Sequence, residues 1–238
     1  MAVIAIDFET ANEERGSACS IGLAWIEGGR VARVEERLIR PRDMRFSSWN
    51  VNIHGINPEM VEDKPEFPEV IEEFANEFAG ATLVAHNASF DISVMRACFD
   101  KYGCSYPKID YLCTLQMSRV VWQNLHSYRL SAIAEFLGHK FKHHRAGDDA
   151  MACAVVATAI AQNLNVQDIR DIPASIGMSA GRLWAGGYNP CSVRSNIRTP
   201  AAGRSPIKPI SDVLSGLTVV FTGALERMSR DEAKAMAE

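Results

Sequence analysis

Met1-Ala-Val-Ile-Ala-Ile-Asp-Phe-Glu-Thr10 opens the chain, and two features of this run govern how everything after it is read. Its apolar residues alternate: Ile4 and Ile6 point one way while Val3, Ala5 and Asp7 point the other, so residues 2–8 are expected to form a strand. With no basic segment before it and an acid at position 7, the run reads as a first strand and not as a signal peptide. Asp7 and Glu9 are two apart and so leave the strand on one face. Two carboxylates there, beside apolar neighbours, repel each other and resist burial. A divalent cation relieves that conflict, because hard cations take carboxylate oxygens. A solvated strand end relieves it equally, and the pair alone does not choose between them.

Outward from this strand, residues 19–27 and 31–40 form two more, joined by the hairpin signal Glu27-Gly28-Gly29-Arg30. An irregular stretch runs to about residue 64. Val70, Ile71, Phe74 and Phe78 recur at helical spacing, and Thr82-Leu83-Val84-Ala85 is an apolar run of strand length. A helix carrying Val94, Met95, Cys98, Phe99 and Tyr102 follows, then a short strand near 109–113. Leu130, Ile133 and Leu137 mark a further helix stopped by Gly138, and the last long helix runs from about Asp148 to Leu164. A hairpin meander followed by alternating strands and helices implies an α/β domain over residues 1–168, a mixed sheet covered by helices. From Ile172 to Ser211 the chain has no Asp or Glu but five Lys/Arg and ten Gly/Pro, and residues 169–210 read as an extended basic linker. Residues 211–238 begin a second, incomplete unit.

Composition narrows the classes of function. The 238 residues, 47% hydrophobic and 23% charged, suit one α/β domain with something smaller, and no apolar run reaches the length of a membrane span. A net charge of −4 argues against coating duplex DNA by bulk electrostatics, though not against gripping a strand end. Six arginines between Arg30 and Arg45 interleave with Glu35, Glu36 and Asp43 and read as a solvated edge strand. The six cysteines contain no C-x-x-C pair, which points to buried free thiols in a reducing cytoplasm.

Two further acids bear on the first pair. Asp91 follows His86-Asn87-Ala88-Ser89-Phe90 directly after the apolar run 82–85. If that strand lies beside the first, its C-terminal end delivers Asp91 close to Asp7; otherwise Asp91 is a first-turn acid favoured by the helix dipole, with Ser89 as a cap. Asp149 is followed at helical spacing by Cys153, Val156 and Ile160, which places it on the core-facing stripe of the last helix. A carboxylate there needs a partner, which a shared metal would supply. His144 hangs on the loop just before that helix.

Asp7-Phe8-Glu9-Thr10, the His86–Asp91 block and the His144–Asp149 block, in that order, resemble the three motifs of the DEDDh exonucleases. This is the family of the proofreading epsilon subunit of bacterial DNA polymerase III and of ribonuclease T. His54-Gly55-Ile56 and the Leu-rich helix before Gly138 resemble it too, and the resemblance covers residues 1–165. It implies a ribonuclease-H-like mixed sheet and a metal-dependent 3′→5′ exonuclease that releases nucleoside monophosphates from single-stranded DNA, in repair or proofreading. An RNA-trimming enzyme and an inert binding module are the alternatives. It further implies two ions of Mg²⁺ or Mn²⁺: Asp7 bridges both, Glu9 and Asp149 hold the one on the nucleophile's side, and Asp91 holds the other. His144 becomes the general base, because the family's H-x₄-D spacing selects it over His143. Phe8, Thr10, His54 and Asn87 become candidates for the terminal nucleotide's pocket, with a core position the equal alternative for Phe8. Leu214–Gly223 followed by Ser229-Arg230-Asp231-Glu232-Ala233 resembles the start of a BRCT domain, which implies a replication or repair protein as partner. A cytoplasmic enzyme acting on 3′ ends, DNA before RNA and with no membrane, is the resulting expectation.

Overall fold

In the computed structural model the described residues are 2–193. The BRCT-like segment and the linker beyond residue 193 lie outside them. β1 (Val3–Thr10) pairs antiparallel with β2 (Ala18–Glu27), which pairs antiparallel with the edge strand β3 (Arg30–Leu38). α1 (Ser48–His54), α2 (Pro58–Val61), α3 (Phe67–Glu73) and α4 (Ala75–Phe78) then lead to β4 (Thr82–Ala85), parallel to β1. The helix expected over 70–78 breaks at Phe74, which leaves helical geometry and sets its ring 5.8 Å from that of Trp25. α5 (Ser89–Tyr102) returns the chain to β5 (Ile109–Cys113), parallel to β4, and α6 (Thr114–Val121), α7 (Leu130–Phe136) and α8 (Ala146–Asn163) follow. The mixed, helix-flanked sheet expected from the sequence is therefore present. No helix among the described residues is long and apolar enough to cross a membrane.

The expected linker is a correction. Within residues 169–193 lie a 3₁₀ turn (Ile169–Asp171), α9 (Ile172–Ser175), β6 (Met178–Ser179), β7 (Gly181–Trp184), β8 (Gly187–Asn189) and β9 (Ser192–Val193). β7 joins the free edge of β5 antiparallel and β8 joins β7, giving a seven-stranded sheet in the order β3-β2-β1-β4-β5-β7-β8, while β6 pairs with β9. A stretch without acids is not for that reason without structure. Beneath it runs a period of two, with Gly181 and Leu183 buried and Arg182 exposed. Gly181 is required because the Tyr111 ring occupies the place of a side chain there: a Cβ would sit 2.2 Å from it. Structure within the first unit thus continues past residue 168 through Val193.

β3 is the solvated sheet edge expected from its arginines, with Arg30 and Arg33 exposed and Arg37 half-buried. Arg33 pairs with Glu77, Arg37 with Glu73 and Glu35, and Arg40 with Glu66, tying the edge strand to the helices that follow it. All six cysteines are free and five are buried, as their spacing indicates.

The two sides of β1 face different layers. Phe8 packs on Phe67 of α3, which packs in turn on Phe99 of α5. The opposite face lies under α8, whose buried Ala150, Cys153, Ala154 and Ala157 are small enough to let the helix come close to the sheet. Closest of all is its first turn. Gly22 on β2 stands directly across from Asp7, and a Cβ at Gly22 would meet the Ala146 carbonyl oxygen at 1.8 Å.

Two outcomes are expected. Gly22→Ala forces the start of α8 off the sheet and should cost roughly 1–3 kcal/mol of stability, or more, in denaturant titration; an unchanged midpoint would refute the close approach. A chain ending at Gln167 loses the fully buried Ile172 and Leu183 and bares the edge of β5. Each such side chain contributes about 1.5–3 kcal/mol, so this chain should melt well below one ending at Val193. Equal midpoints would return residues 169–193 to the status of a linker.

Candidate active site

Alternation along β1 sends Asp7 and Glu9 to the α8 side of the sheet, while Ile4, Ile6 and Phe8 enter the opposite core layer. α8 begins over this point and carries Asp149 in its first turn, on the buried stripe it shares with Cys153, Val156 and Ile160. Carboxylate oxygens of Asp7, Glu9 and Asp149 lie within 4.8 Å of one another. Asp149 is held from behind: the Arg145 backbone N–H donates to Oδ2 at 3.1 Å, and His143 Nδ1–H donates to Oδ1 at 2.6 Å.

Asp91 arrives by another route. β4 accompanies β1 only as far as the Ala5–Val84 pair, so the Phe8 N–H beyond it finds no partner strand on that side. Asp91, in the first turn of α5, accepts that N–H at 3.1 Å and is 1% exposed. One hydrogen bond thus fixes the α5 carboxylate beside Asp7. The expected adjacency of the two strands is what makes it possible.

Four carboxyls gathered in this way titrate abnormally. Asp7 is pushed well above the usual carboxylate range, first by burial and then by Asp91, Asp149, Glu9 and Glu36. Glu9 is pushed up to about 8 by burial, Asp149 and Glu36. Asp91 rises to about 8 through burial, against the pull of the Phe8 N–H. Asp149 rises by burial despite His143 and two backbone N–H groups. A set of acids that the protein alone cannot keep ionised, offering only oxygen donors, fits a hard divalent cation.

His144 stands next to this cluster in left-handed backbone geometry (φ 65°), its ring stacked on that of His143 with 4.0 Å between centroids. Burial and His143 lower its pKa while Asp149 opposes them, so the ring is neutral near pH 7. The H-x₄-D spacing selects His144, whereas the direct contact to Asp149 belongs to His143.

The expected nucleotide-binding residues divide. Phe8 is a correction: its ring is 2% exposed and belongs to the core, because strand alternation turns it away from Asp7 and Glu9. The Thr10 carbonyl, at the end of β1, accepts from Asn50 Nδ2 at 2.9 Å and His54 Nε2–H at 3.1 Å. Because Ile56 N–H donates to His54 Nδ1, the proton of a neutral His54 sits on Nε2. Burial lowers its pKa and keeps it neutral. Thr10 and His54 are thus tied to each other, with α1 anchored at the site and Trp49 fully exposed to solvent on that helix at 74%. Asn87 is exposed and lines a cavity of 540 Å³ together with Asp7 and Asp149.

That cavity also reveals residues the sequence did not mark. Arg119, His126 and Arg129 line it together with the acids. His86 holds this wall in place: its Nε2–H donates to the Tyr128 carbonyl at 2.9 Å, and its Nδ1 accepts from the Thr114 hydroxyl at 2.9 Å. Burial lowers the His86 pKa to about 4, so the ring stays neutral and the pair of bonds persists. No spacing rule connects Arg119 and Arg129 to the acids; only the fold brings them together.

Comparison with known proteins agrees with this geometry. Over 153 residues the chain is 34% identical to DNA polymerase III PolC-type of Caldanaerobacter subterraneus subsp. tengcongensis, a match covering 64% of this chain and 11% of that protein. It is 34% identical to DNA polymerase III subunit epsilon of Haemophilus influenzae, covering 57% of this chain and 56% of that one. The chain thus spans only a small part of its PolC-type relatives. Among solved structures, Exonuclease X in complex with 5′ overhanging duplex DNA superposes with a TM-score of 0.61 at 25% identity, over 74% of this chain and 99% of that one. The sequence model of the exonuclease family matches residues 4–157, a span that contains Asp7, Glu9, Asp91, His144 and Asp149. The chain belongs to the exonuclease family, with motifs of the DEDDh type.

Proposed function

We propose that this chain is a 3′→5′ exonuclease that removes nucleoside monophosphates from single-stranded DNA, using two ions of Mg²⁺ or Mn²⁺. Divalent-metal dependence goes with the DEDDh family. The observation that carries the reading is the convergence of Asp7, Glu9 and Asp149 oxygens within 4.8 Å, with Asp91 fixed beside Asp7 through the Phe8 N–H.

Bound cations would supply Lewis-acid stabilisation of the charge that develops on the phosphoryl oxygens and the leaving 3′-oxygen. Asp7 stands between the other acids and would serve both ions, Glu9 and Asp149 one of them, and Asp91 the other. His144, neutral near pH 7, takes the proton of the attacking water. His143 holds Asp149 in place through its Nδ1–H. Thr10 and His54 set the end of β1 where the terminal nucleotide seats, with Asn87 at the cavity side; the core position of Phe8 removes it from this list. DNA is favoured over RNA because the PolC-type and epsilon relatives described above are DNA polymerase components. Six free thiols suit a cytoplasmic setting. A full BRCT domain, of which residues 211–238 are read as the start, would recruit a replication or repair protein. Equal-length DNA and RNA oligonucleotides, compared for release of monophosphates, test the substrate class; faster turnover of RNA overturns it.

The acids set a pH dependence whose sign is fixed. Glu9 and Asp91 have ordinary values of 4.5 and 3.8 and folded values of about 8, so the folded state binds their protons more tightly. Metal-free stability should be fully present below the ordinary values and lost as pH rises through about 8. Melting in EDTA from pH 5 to 8 should show this fall, and excess Mg²⁺ should reverse it at the alkaline end. Asp7→Asn should abolish turnover yet melt at the same temperature or higher without metal. A melting curve indifferent to both pH and Mg²⁺ would contradict the cation site.

The two histidines separate by kinetics. His144→Ala should lower kcat by roughly 10²–10⁴, flatten the acid limb of the pH–rate profile and leave Mn²⁺ affinity nearly intact by calorimetry. His143→Ala should have a far smaller effect on kcat. A crippled His143→Ala beside a near-normal His144→Ala would reassign the base.

A further inference from the structure

Arginines on this protein mostly have acidic partners: Arg33, Arg37, Arg40 and Arg182 all lie within ion-pair distance of a carboxylate. Among the described residues six arginines, Arg15, Arg30, Arg42, Arg96, Arg119 and Arg129, make no such pair, and the last two differ from the rest in where they stand. Both are exposed, and both line the 540 Å³ cavity that Asp7 and Asp149 also line. Their placement is built from the core outward. Thr114 is fully buried at the start of α6, the helix that ends near Arg119, and Tyr128 immediately precedes Arg129. Both are tied to the same buried histidine, His86, at the end of β4. The Arg119 guanidinium carbon lies 5.9 Å from the centroid of the Tyr128 ring, which brings the two arginine-bearing segments together.

Two guanidinium groups held near each other repel, and no acid lines that cavity other than Asp7 and Asp149. Such an arrangement is complementary to an anion that the reaction brings in. A nucleic-acid strand presents a phosphate at every nucleotide, and guanidinium matches phosphate in planar, two-pronged geometry. With one phosphodiester at the carboxylates and the terminal nucleotide on the Thr10 and His54 side, the rest of the strand leaves through this cavity.

Resting on the exonuclease reading above, we propose that Arg119 and Arg129 hold the backbone phosphates of the strand on the 5′ side of the bond being cut, and so set affinity for the strand and not the rate of cleavage. They are positioning residues. The substrate class they select is a polynucleotide with phosphates upstream of the reacting one, as distinct from a lone nucleotide ester.

Two substrates separate that role from catalysis. A short oligothymidylate has upstream phosphates, whereas thymidine 5′-(p-nitrophenyl phosphate) has only the reacting one. In the full chain with Mg²⁺, Arg119→Ala and Arg129→Ala should each raise KM for the oligonucleotide about tenfold or more with kcat little changed. Both should hydrolyse the nitrophenyl ester like the wild type. Anisotropy of a labelled oligonucleotide, with Ca²⁺ in place of Mg²⁺, should show the double variant's log–log salt slope shallower by about 1.4, two single-strand contacts at about 0.7 each. Arg119→Lys and Arg129→Lys keep the charge and should restore the slope, and Arg170→Ala, whose arginine is paired with Asp168, controls for net charge. Equal losses on both substrates, or an unchanged salt slope, would overturn the proposal. A wild type inert on both substrates would sink the exonuclease reading instead, while the binding measurement would still decide the role of the arginines.

Discussion

A helix can bring a carboxylate to a strand only as near as the side chains between them allow, and here nothing stands between. Gly22 lies across from Asp7, and the Ala146 carbonyl fills the space that any side chain at Gly22 would occupy. The first turn of α8 therefore rests on backbone, and Asp149, three residues further on, comes within reach of Asp7 and Glu9. On the far side of β1 the same economy of distance operates through one hydrogen bond, from the Phe8 N–H to Asp91. Helices from opposite layers of the sheet meet at a single strand end because β1 runs further than β4 and leaves that N–H to be claimed.

Such a meeting has an electrostatic cost. Buried acids raise one another's pKa, and the fold tolerates them by protonation or by a cation. Stability and function are in tension at this point: the metal-free protein should be most stable where its acids are neutral and of no use for catalysis. His143, hydrogen-bonded to Asp149, offsets a part of the cost. His144, stacked on it, is kept neutral and available. The same cavity is lined by Arg119 and Arg129, so one cleft holds both carboxylates and guanidiniums.

Much of this was legible from residues alone, and the reasons differ element by element. The period of two in residues 2–8 puts Asp7 and Glu9 on one face of a strand that is buried on both, and the helical spacing from Asp149 to Ile160 puts Asp149 on the buried stripe of α8. The same alternation puts Phe8 opposite the acids, and a stricter reading of it would have withdrawn Phe8 from the nucleotide pocket. Composition misled over residues 169–193, where the absence of acids and the density of Gly and Pro concealed β7 and the need for Gly181 beneath Tyr111. Which histidine touches Asp149 depends on a left-handed turn at His144, a local conformation that spacing does not encode. Arg119 and Arg129 reach the acids only through the packing of His86, Thr114 and Tyr128, which no short-range pattern announces.

The central claim is that the carboxylates at the end of β1 form a cation site that cuts a strand from its 3′ end. The most direct measurement is the product pattern from one single-stranded DNA labelled in parallel at its 5′ and 3′ ends, with Mg²⁺ and with excess EDTA. The account predicts a ladder shortening from the 3′ end on the 5′-labelled strand, immediate release of labelled mononucleotide from the other, and neither product in EDTA. Mononucleotide released from the 5′ label, or turnover that persists in EDTA, would contradict it.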